Sequence, residues 1–340
     1  MAVLRLKGEE FDTFPSILKE YASYLSGIKG NAEKTVCEYL LDLRTFFRYL
    51  KVKDGNIPER DDFEKISISD INIDFIKEIT NNDIIKYLMF VNFDLKNSAT
   101  TRMRKLSAIR SLFKYLCNKK HYIDYDPSVD VDSPKAGKKL PKYMTYDECL
   151  KLLETIRNDV DSPTNFRDFA IVVLFLNTGM RLSELVGLNL QSFSKDLKTV
   201  RVVGKGNKER LIYLNDFAIS AIKDYLIVRL DPKYIRTSDK AFFLSAREQR
   251  ISAKTVQWMV HKYLEMAGLG FKGLSVHKLR HTAATLMYQS GKVDIRILKE
   301  VLGHEQLNTT QIYTHVVNRN IAEAVDNNPL AGLKLKKPMD

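Results

Sequence analysis

Four short segments in the second half of the chain carry side chains suited to gripping an anion and moving a proton. The first is Asn177-Thr178-Gly179-Met180-Arg181-Leu182-Ser183-Glu184. The apolar run Phe169–Leu176 reads as a helix ending at Gly179, a residue type favoured just past a helix C-terminus. A short helix starting near Ser183 then sets Arg181 beside unpaired N–H groups, a place that favours anions. Glu184 can hold the Arg181 side chain; taken alone, the two also read as a surface ion pair. The second segment is Gly204-Lys205-Gly206-Asn207-Lys208. It lies between the β-type runs Thr199–Val203 and Glu209–Leu214, so the whole reads as a β-hairpin with Lys205 at its tip. The third is His277-Lys278-Leu279-Arg280-His281. Helix positions three and four apart share a face, which groups His277, Arg280, His281 and Ala284 and turns Leu279, Ala283 and Leu286 to a core. That face can hold a phosphate or be an ordinary polar surface. The fourth is Leu302-Gly303-His304-Glu305, followed by Gln311-Ile312-Tyr313-Thr314-His315. Gly303 ends a helix and leaves His304 on a loop, while Asn308 can cap a short helix carrying Tyr313. A tyrosine there, alone, reads as half-buried packing.

The four segments together say more than each alone. An HxxR pair (His277, Arg280) is followed 24 residues later by the His of LGH, and Tyr313 comes nine residues after that. TGMRLSEL lies upstream and GKGNKER between. This set resembles the tyrosine recombinase family, closest to its Xer branch, and the resemblance extends over most of the chain. It includes NSATTRMRKLSAIRSLFKYL, which is similar to the DNA-clamping helix of that family. The resemblance implies a six-residue catalytic site: Arg181, Lys205, His277, Arg280, His304 and Tyr313. Its chemistry follows from residue type. Two guanidiniums, charged at any working pH, neutralise the non-bridging phosphate oxygens and the charge that builds in the transition state, and His304 adds a hydrogen bond. Tyr313, a phenol with a pKa near ~10, needs a base. His277 is the candidate that takes and returns its proton. By analogy Lys205 protonates the leaving 5′-oxygen. The resemblance implies that the product is a 3′-phosphotyrosyl link and a free 5′-hydroxyl; because such a link retains the bond energy, no ATP is required. No P-loop pattern GxxxxGK[ST] occurs, no acidic cluster suggests Mg²⁺, and the expectation is no cofactor and no metal.

Helices must position these residues. Phe14, Ile17, Leu18, Tyr21 and Leu25 recur at helical spacing. Asn31 can cap a second helix through Leu50, Ile84–Val91 fits a third, and Ser98 opens a fourth. Leu43–Leu50 parallels Ile109–Leu116, either as shared amphipathic composition or as two helical hairpins with equivalent DNA-facing sides. Residues 51–75, with charges, Gly55 and Pro58, read as a solvated loop. Pro134, Pro141, Gly137 and four lysines make residues 133–142 an extended linker. Beyond the hairpin, helical patterns cover Phe217–Arg229, Ala253–Ala267 and His277–Gln289, and Asn320–Val325 is an amphipathic tail able to dock into a neighbouring subunit. The expected fold class is mainly α: an amino-terminal helical, SAM-like core-binding domain (11–126), a linker (127–144), and a mixed, mostly helical catalytic domain with a small β-sheet and a carboxy-terminal exchange helix (145–340). The resemblance implies that the two domains close on DNA as a C-shaped clamp. The DNA-binding candidates are Lys34, Thr35, Arg44, Thr101, Arg102, Arg104, Lys105 and Lys139.

Composition agrees with such a partner. Lys and Arg total 54 against 42 Asp and Glu, a formal charge of +12 in 340 residues, which favours a polyanion. Cys37, Cys117 and Cys149 are far apart and without CxxC spacing, which argues against disulfides or zinc and for core thiols in a reducing compartment. The amino terminus has no apolar signal core and the longest apolar run is too short for a bilayer, so a soluble, cytoplasmic protein is expected, without a membrane. The expected partner is double-stranded DNA at a specific site with two inverted half-sites. The expected assembly is a homotetramer on two sites, or a heterotetramer with a related recombinase. Resolution of chromosome or plasmid dimers is the leading role, and integration or excision of a mobile element the alternative. A type IB topoisomerase-like enzyme and a non-enzymatic DNA-binding protein are the weaker readings.

Overall fold

Apolar residues at helical spacing build the first half of the chain into helices that meet along one buried seam. The structure is a computed structural model and describes residues 8–52, 60–134, 142–204, 208–231, 240–291 and 293–303. These residues divide into two units, one within 1–138 and one within 139–340.

The first unit consists of α1 (Gly8–Asp12), α2 (Ser16–Gly27), α3 (Glu33–Lys51), α4 (Arg60–Lys65), α5 (Ile73–Lys77), α6 (Asn81–Phe93) and α7 (Ala99–Asn118). Leu18, Tyr21 and Leu25 of α2 are fully buried, as are Leu40, Leu43, Phe46 and Phe47 of α3 and Ile109, Leu112 and Phe113 of α7. Ser98 caps α7 as expected, its hydroxyl accepting the Thr101 N–H at 3.2 Å. Asn31 does not cap α3: the capping position is Ala32, which has no side-chain acceptor. Residues 60–77 also depart from the solvated-loop reading. They form α4 and α5 and bury Phe63, Ile68, Ile71 and Ile76. The Arg48 Nε–H donates to the Ile66 carbonyl at 2.9 Å, and Asn72 caps α5. The charges between those apolar residues face outward and hid the pattern. In the two echoing helices the matched positions Leu43 and Ile109, Phe46 and Leu112, Phe47 and Phe113, and Leu50 and Leu116 are all buried. The matched arginines are both tied within the unit, Arg44 to Glu10 at 2.9 Å and Arg110 to the Ser133 hydroxyl at 2.8 Å. The echo thus includes a shared packing face.

The second unit consists of α8 (Tyr146–Asn158), α9 (Asn165–Thr178), α10 (Leu182–Val186), strands β1 (Thr199–Val203) and β2 (Glu209–Tyr213), α11 (Asp216–Leu230), α12 (Ala253–Met266), α13 (Val276–Gln289) and α14 (Ile295–Leu302). Helix α9 is its axis. Ala170 to Phe175 are all fully buried, so α9 is apolar all round and is packed by α8, α11 and α13. A capping box between Thr145 and Glu148 starts α8. Strands β1 and β2 pair antiparallel, with Thr199 opposite Tyr213 and Val203 opposite Glu209. Cys37 and Cys149 are buried, Cys117 is half-buried, and all three are free thiols. Among the described residues no helix is long and apolar enough to cross a membrane.

Candidate active site

Three chain segments of the second unit meet around Arg280, beside one small cavity. Helix α9 ends at Gly179 in the left-handed conformation, φ +61°. A Cβ at that position would stand 2.8 Å from Leu302 Cδ2, so glycine is required both by the backbone and by the approach of α14. Helix α14 ends in the same way at Gly303, φ +64°. Between these two turns lies the amino-terminal half of α13.

The cavity, about 220 Å³, is lined by Arg181, Gln257, Ser275, His277 and Arg280 among others. Arg280 is buried, with 4% exposure, and donates to the carbonyls of Gly179 and, at 2.7 Å, Leu302. Arg181 donates to the Gly303 carbonyl at 2.7 Å and to Glu184 Oε1 at 2.8 Å. The two guanidiniums are thus held by the consecutive carbonyls of Leu302 and Gly303, which directly precede His304 in the chain. Ala284 is fully buried against Leu298 and Leu302, so the face predicted to group His277, Arg280, His281 and Ala284 is polar only at its amino-terminal end. His277 and His281 meet edge-on, ring centroids 4.7 Å apart.

The Arg181–Glu184 pair is not a surface pair. The Glu184 side chain has no exposed area. It accepts the Arg181 backbone N–H at 2.7 Å, so the start of α10 is filled by this carboxylate and the cationic feature of the site is the guanidinium itself. Arg210 of β2 completes the group, donating to both Glu184 oxygens. Burial works against ionisation of Glu184, yet the bonds from Arg210 and Arg181 hold its carboxyl below the usual carboxylate range. The His277 imidazole is shifted below its ordinary value, first by loss of solvent around the ring and then by the charges of Arg280, Lys278 and Arg181. It therefore favours the neutral form, a base able to accept a proton.

Arg181, His277 and Arg280 are brought together. Lys205, His304 and Tyr313 lie outside the described residues, as do Lys139, Asn308 and the tail Asn320–Val325. Of the DNA-binding candidates, Lys34 is exposed, with Glu38 3.8 Å away, and Thr35 is half-buried in the first turn of α3. Arg44 pairs with Glu10 and lies over the Phe14 ring. Thr101 and Arg102 are half-buried at the start of α7, and the Arg102 Nε is buried without a partner among the described residues. Arg104 and Lys105 both meet the buried Asp42, at 2.6 and 3.0 Å; Lys105 is itself buried and does not reach the surface where a phosphate would be met. Sequence reasoning did not single out Arg210, Gln257 or Ser275. Arg210 had a signal. It occupies an inward position of an alternating strand, between the exposed Glu209 and Leu211, and a cation there needs a buried counter-charge.

Residues 142–319 match the phage integrase family, and residues 18–120 match the phage integrase N-terminal SAM-like domain. The chain belongs to the phage integrase family. It is a tyrosine recombinase of the Xer branch, an enzyme that cleaves and rejoins DNA. It is 47% identical over 318 residues to tyrosine recombinase XerC of Caldanaerobacter subterraneus subsp. tengcongensis, covering 94% of this chain and 88% of the relative. It is 34% identical over 293 residues to tyrosine recombinase XerD of Haemophilus influenzae, covering 86% and 91%. Among solved structures, the recombinase is similar to XerH site-specific recombinase bound to palindromic difH substrate in a post-cleavage complex. The TM-score is 0.68 at 25% identity, over 91% of this chain and 83% of the other.

Proposed function

We propose that this recombinase acts on a specific duplex DNA site made of two inverted half-sites and resolves chromosome or plasmid dimers in the cytoplasm. The catalytic residues in this reading are Arg181, Lys205, His277, Arg280, His304 and Tyr313. The Tyr313 phenolic oxygen attacks the scissile phosphorus and its proton passes to His277. The P–O5′ bond breaks, and Lys205 supplies the proton that the departing 5′-oxygen takes up. A 3′-phosphotyrosyl link and a 5′-hydroxyl result, and a 5′-hydroxyl from another strand reverses the step. Arg181, Arg280 and His304 stabilise the charge that gathers on the non-bridging oxygens.

The observation that carries this reading is the cavity in which Arg181, Arg280 and a deprotonation-favoured His277 meet, with both guanidiniums held by the backbone of Leu302 and Gly303. The palindromic difH substrate bound by XerH, to which this chain is similar, supports inverted half-sites. Two such sites with two half-sites each call for a tetramer of this chain, or of this chain and a related recombinase. Lys34, Thr35, Arg44, Thr101, Arg102, Arg104 and Lys139 are the proposed DNA-facing residues, and the two domains closing on the duplex as a clamp belong to the same reading.

A nicked duplex carrying the cognate site tests the chemistry. Loss of the short fragment next to the nick leaves no 5′-hydroxyl for rejoining, so a covalent protein–DNA complex accumulates. Tyr313→Phe binds this DNA and forms no complex; an adduct of unchanged yield in the variant would move the nucleophile elsewhere. Footprinting of genomic fragments tests the role: protection at one chromosomal or plasmid site supports dimer resolution, and protection at the ends of a mobile element replaces it with integration.

A further inference from the structure

The buried Glu184 carboxylate joins the Arg181 segment to the β1–β2 hairpin, and the second arginine that holds it, Arg210, stands on the hairpin. Glu184 Oε1 accepts from Arg181 at 2.8 Å and from Arg210, whose other terminal nitrogen reaches Oε2 at 3.1 Å. Oε1 also lies against the neck of the hairpin: a Cβ on Gly204, the residue before Lys205, would be 3.6 Å from it. The hairpin ladder continues to that point, the Gly204 N–H donating to the Lys208 carbonyl at 2.7 Å. Arg210 is two residues beyond Lys208 on β2, its side chain only 18% exposed. Its guanidinium also covers the end of α14, because a Cβ on Gly303 would stand 3.0 Å from Arg210 Nε. The Gly303 carbonyl is the one that Arg181 grips.

We infer that Arg210 is a positioning residue that registers the Lys205 hairpin against Arg181 and the turn leading to His304, through its two-point grip on Glu184. The inference rests on the reading of Lys205 as the proton donor to the leaving 5′-oxygen. Without Arg210, Glu184 keeps the Arg181 side chain and the Arg181 N–H as partners, so the phosphate grip is retained. The hairpin loses its charged tie to the site, and a proton donor misplaced by even about 1 Å loses much of its effect. The defect should therefore fall on leaving-group protonation.

That step can be separated chemically. In a nicked duplex whose scissile 5′-bridging oxygen is replaced by sulfur, the leaving group is a thiolate, whose conjugate acid has a pKa near ~8.5, and it departs without a proton donor. Single-turnover formation of the covalent complex is measured for the full-length wild type, Lys205→Ala, Arg210→Ala and Arg210→Lys, on oxygen- and sulfur-bridged DNA, with DNA binding measured beside it. On oxygen-bridged DNA, Arg210→Ala should be slower by about two orders of magnitude, the usual worth of a proton donor. Arg210→Lys, which keeps the charge without the two-point grip, should fall between it and the wild type. On sulfur-bridged DNA both should approach the wild-type rate, as Lys205→Ala should. If Lys205→Ala is rescued by sulfur and the Arg210 variants are equally slow on both substrates, Arg210 acts through Arg181 or the fold and the inference is overturned. A wild-type rate for Arg210→Ala on oxygen-bridged DNA overturns it as well. If Lys205→Ala is not rescued, the proton-donor reading itself fails, and the Arg210 inference with it. Should Arg210→Ala fail to fold, Arg210→Lys carries the same comparison.

Discussion

At the scale of single residues, the proposed reading separates charge stabilisation from proton transfer, and the two leave different signatures. Arg280 is buried and fixed by two carbonyls, and Arg181 by one carbonyl and a carboxylate, so both are held in place before substrate arrives. Arg181→Ala or Arg280→Ala should slow covalent-complex formation by about 100-fold or more while binding changes little, because other phosphate contacts remain. Equal losses in cleavage and binding would make them docking contacts. His277 predicts a pH effect whose sign can be worked out. Its folded-state value lies below the ordinary 6.5, so protonation on acidification removes the base. The cleavage rate should rise with pH through a value below 6.5 and then level off, and His277→Asn should flatten that limb. An acid limb unchanged in His277→Asn would assign the base elsewhere. The same depressed value means that the unfolded chain takes up this proton first as pH falls, so His277 lowers stability on the acidic side of about 6.5 and has no effect well above it.

At the scale of elements, two left-handed glycine turns and one strand aim the site. Gly179→Ala should be costly, since the added methyl meets Leu302 Cδ2 at 2.8 Å on a backbone that L-residues rarely adopt. The expected result is a lower unfolding midpoint in urea together with slower cleavage; a stable, fully active variant would show that α14 can yield at no cost. In the first unit the candidates sort by environment. Asp42 is buried with Lys105 and Arg104 upon it, so Asp42→Ala strands a buried ammonium and should destabilise by about 3 kcal/mol or more in denaturant titration. Arg102→Ala should instead weaken DNA binding and lower the slope of log affinity against log salt by about one. An unchanged slope would remove Arg102 from the interface. The elements differ in how readable they were. Gly179 and Gly303 end α9 and α14 where the sequence places them, because a glycine after an apolar helical run has one ready use. The β1–β2 hairpin was legible from two β-type runs around a turn-rich centre. Helices α4 and α5 were not, because they are short and their apolar residues are separated by charges that only the tertiary packing turns outward. Burial of Glu184 and Lys105 was not legible either, since a charged residue on a helix reads as solvated until its partner, Arg210 or Asp42, arrives from elsewhere in the chain.

At the scale of the whole molecule, the question is how a recombinase avoids cutting every strand at once, since simultaneous cleavage at paired half-sites would release a double-strand break. In the proposed reading the tail, which lies outside the described residues, reports on a neighbour. Helical spacing of the sequence would put Ile321, Ala324 and Val325 on one face, and Leu330 and Leu333 follow Pro329. So short a helix would be marginal in water unless its apolar face were covered. Packing on its own subunit would cover it. Docking into the next protomer would also cover it, and would in addition couple this segment to Tyr313, only eight residues before Ile321. The second arrangement makes activity depend on neighbours, which is what ordered strand exchange requires. Deleting residues 318–340 should then leave binding of one protomer to one half-site nearly intact, while cooperative filling of the paired half-site and strand exchange between two sites both fail. Gel-shift titrations on single and paired half-sites, run beside a recombination assay, measure each quantity. A truncated protein that fills paired half-sites cooperatively and recombines two sites at the normal rate would show that the tail packs within its own subunit and takes no part in the ordering.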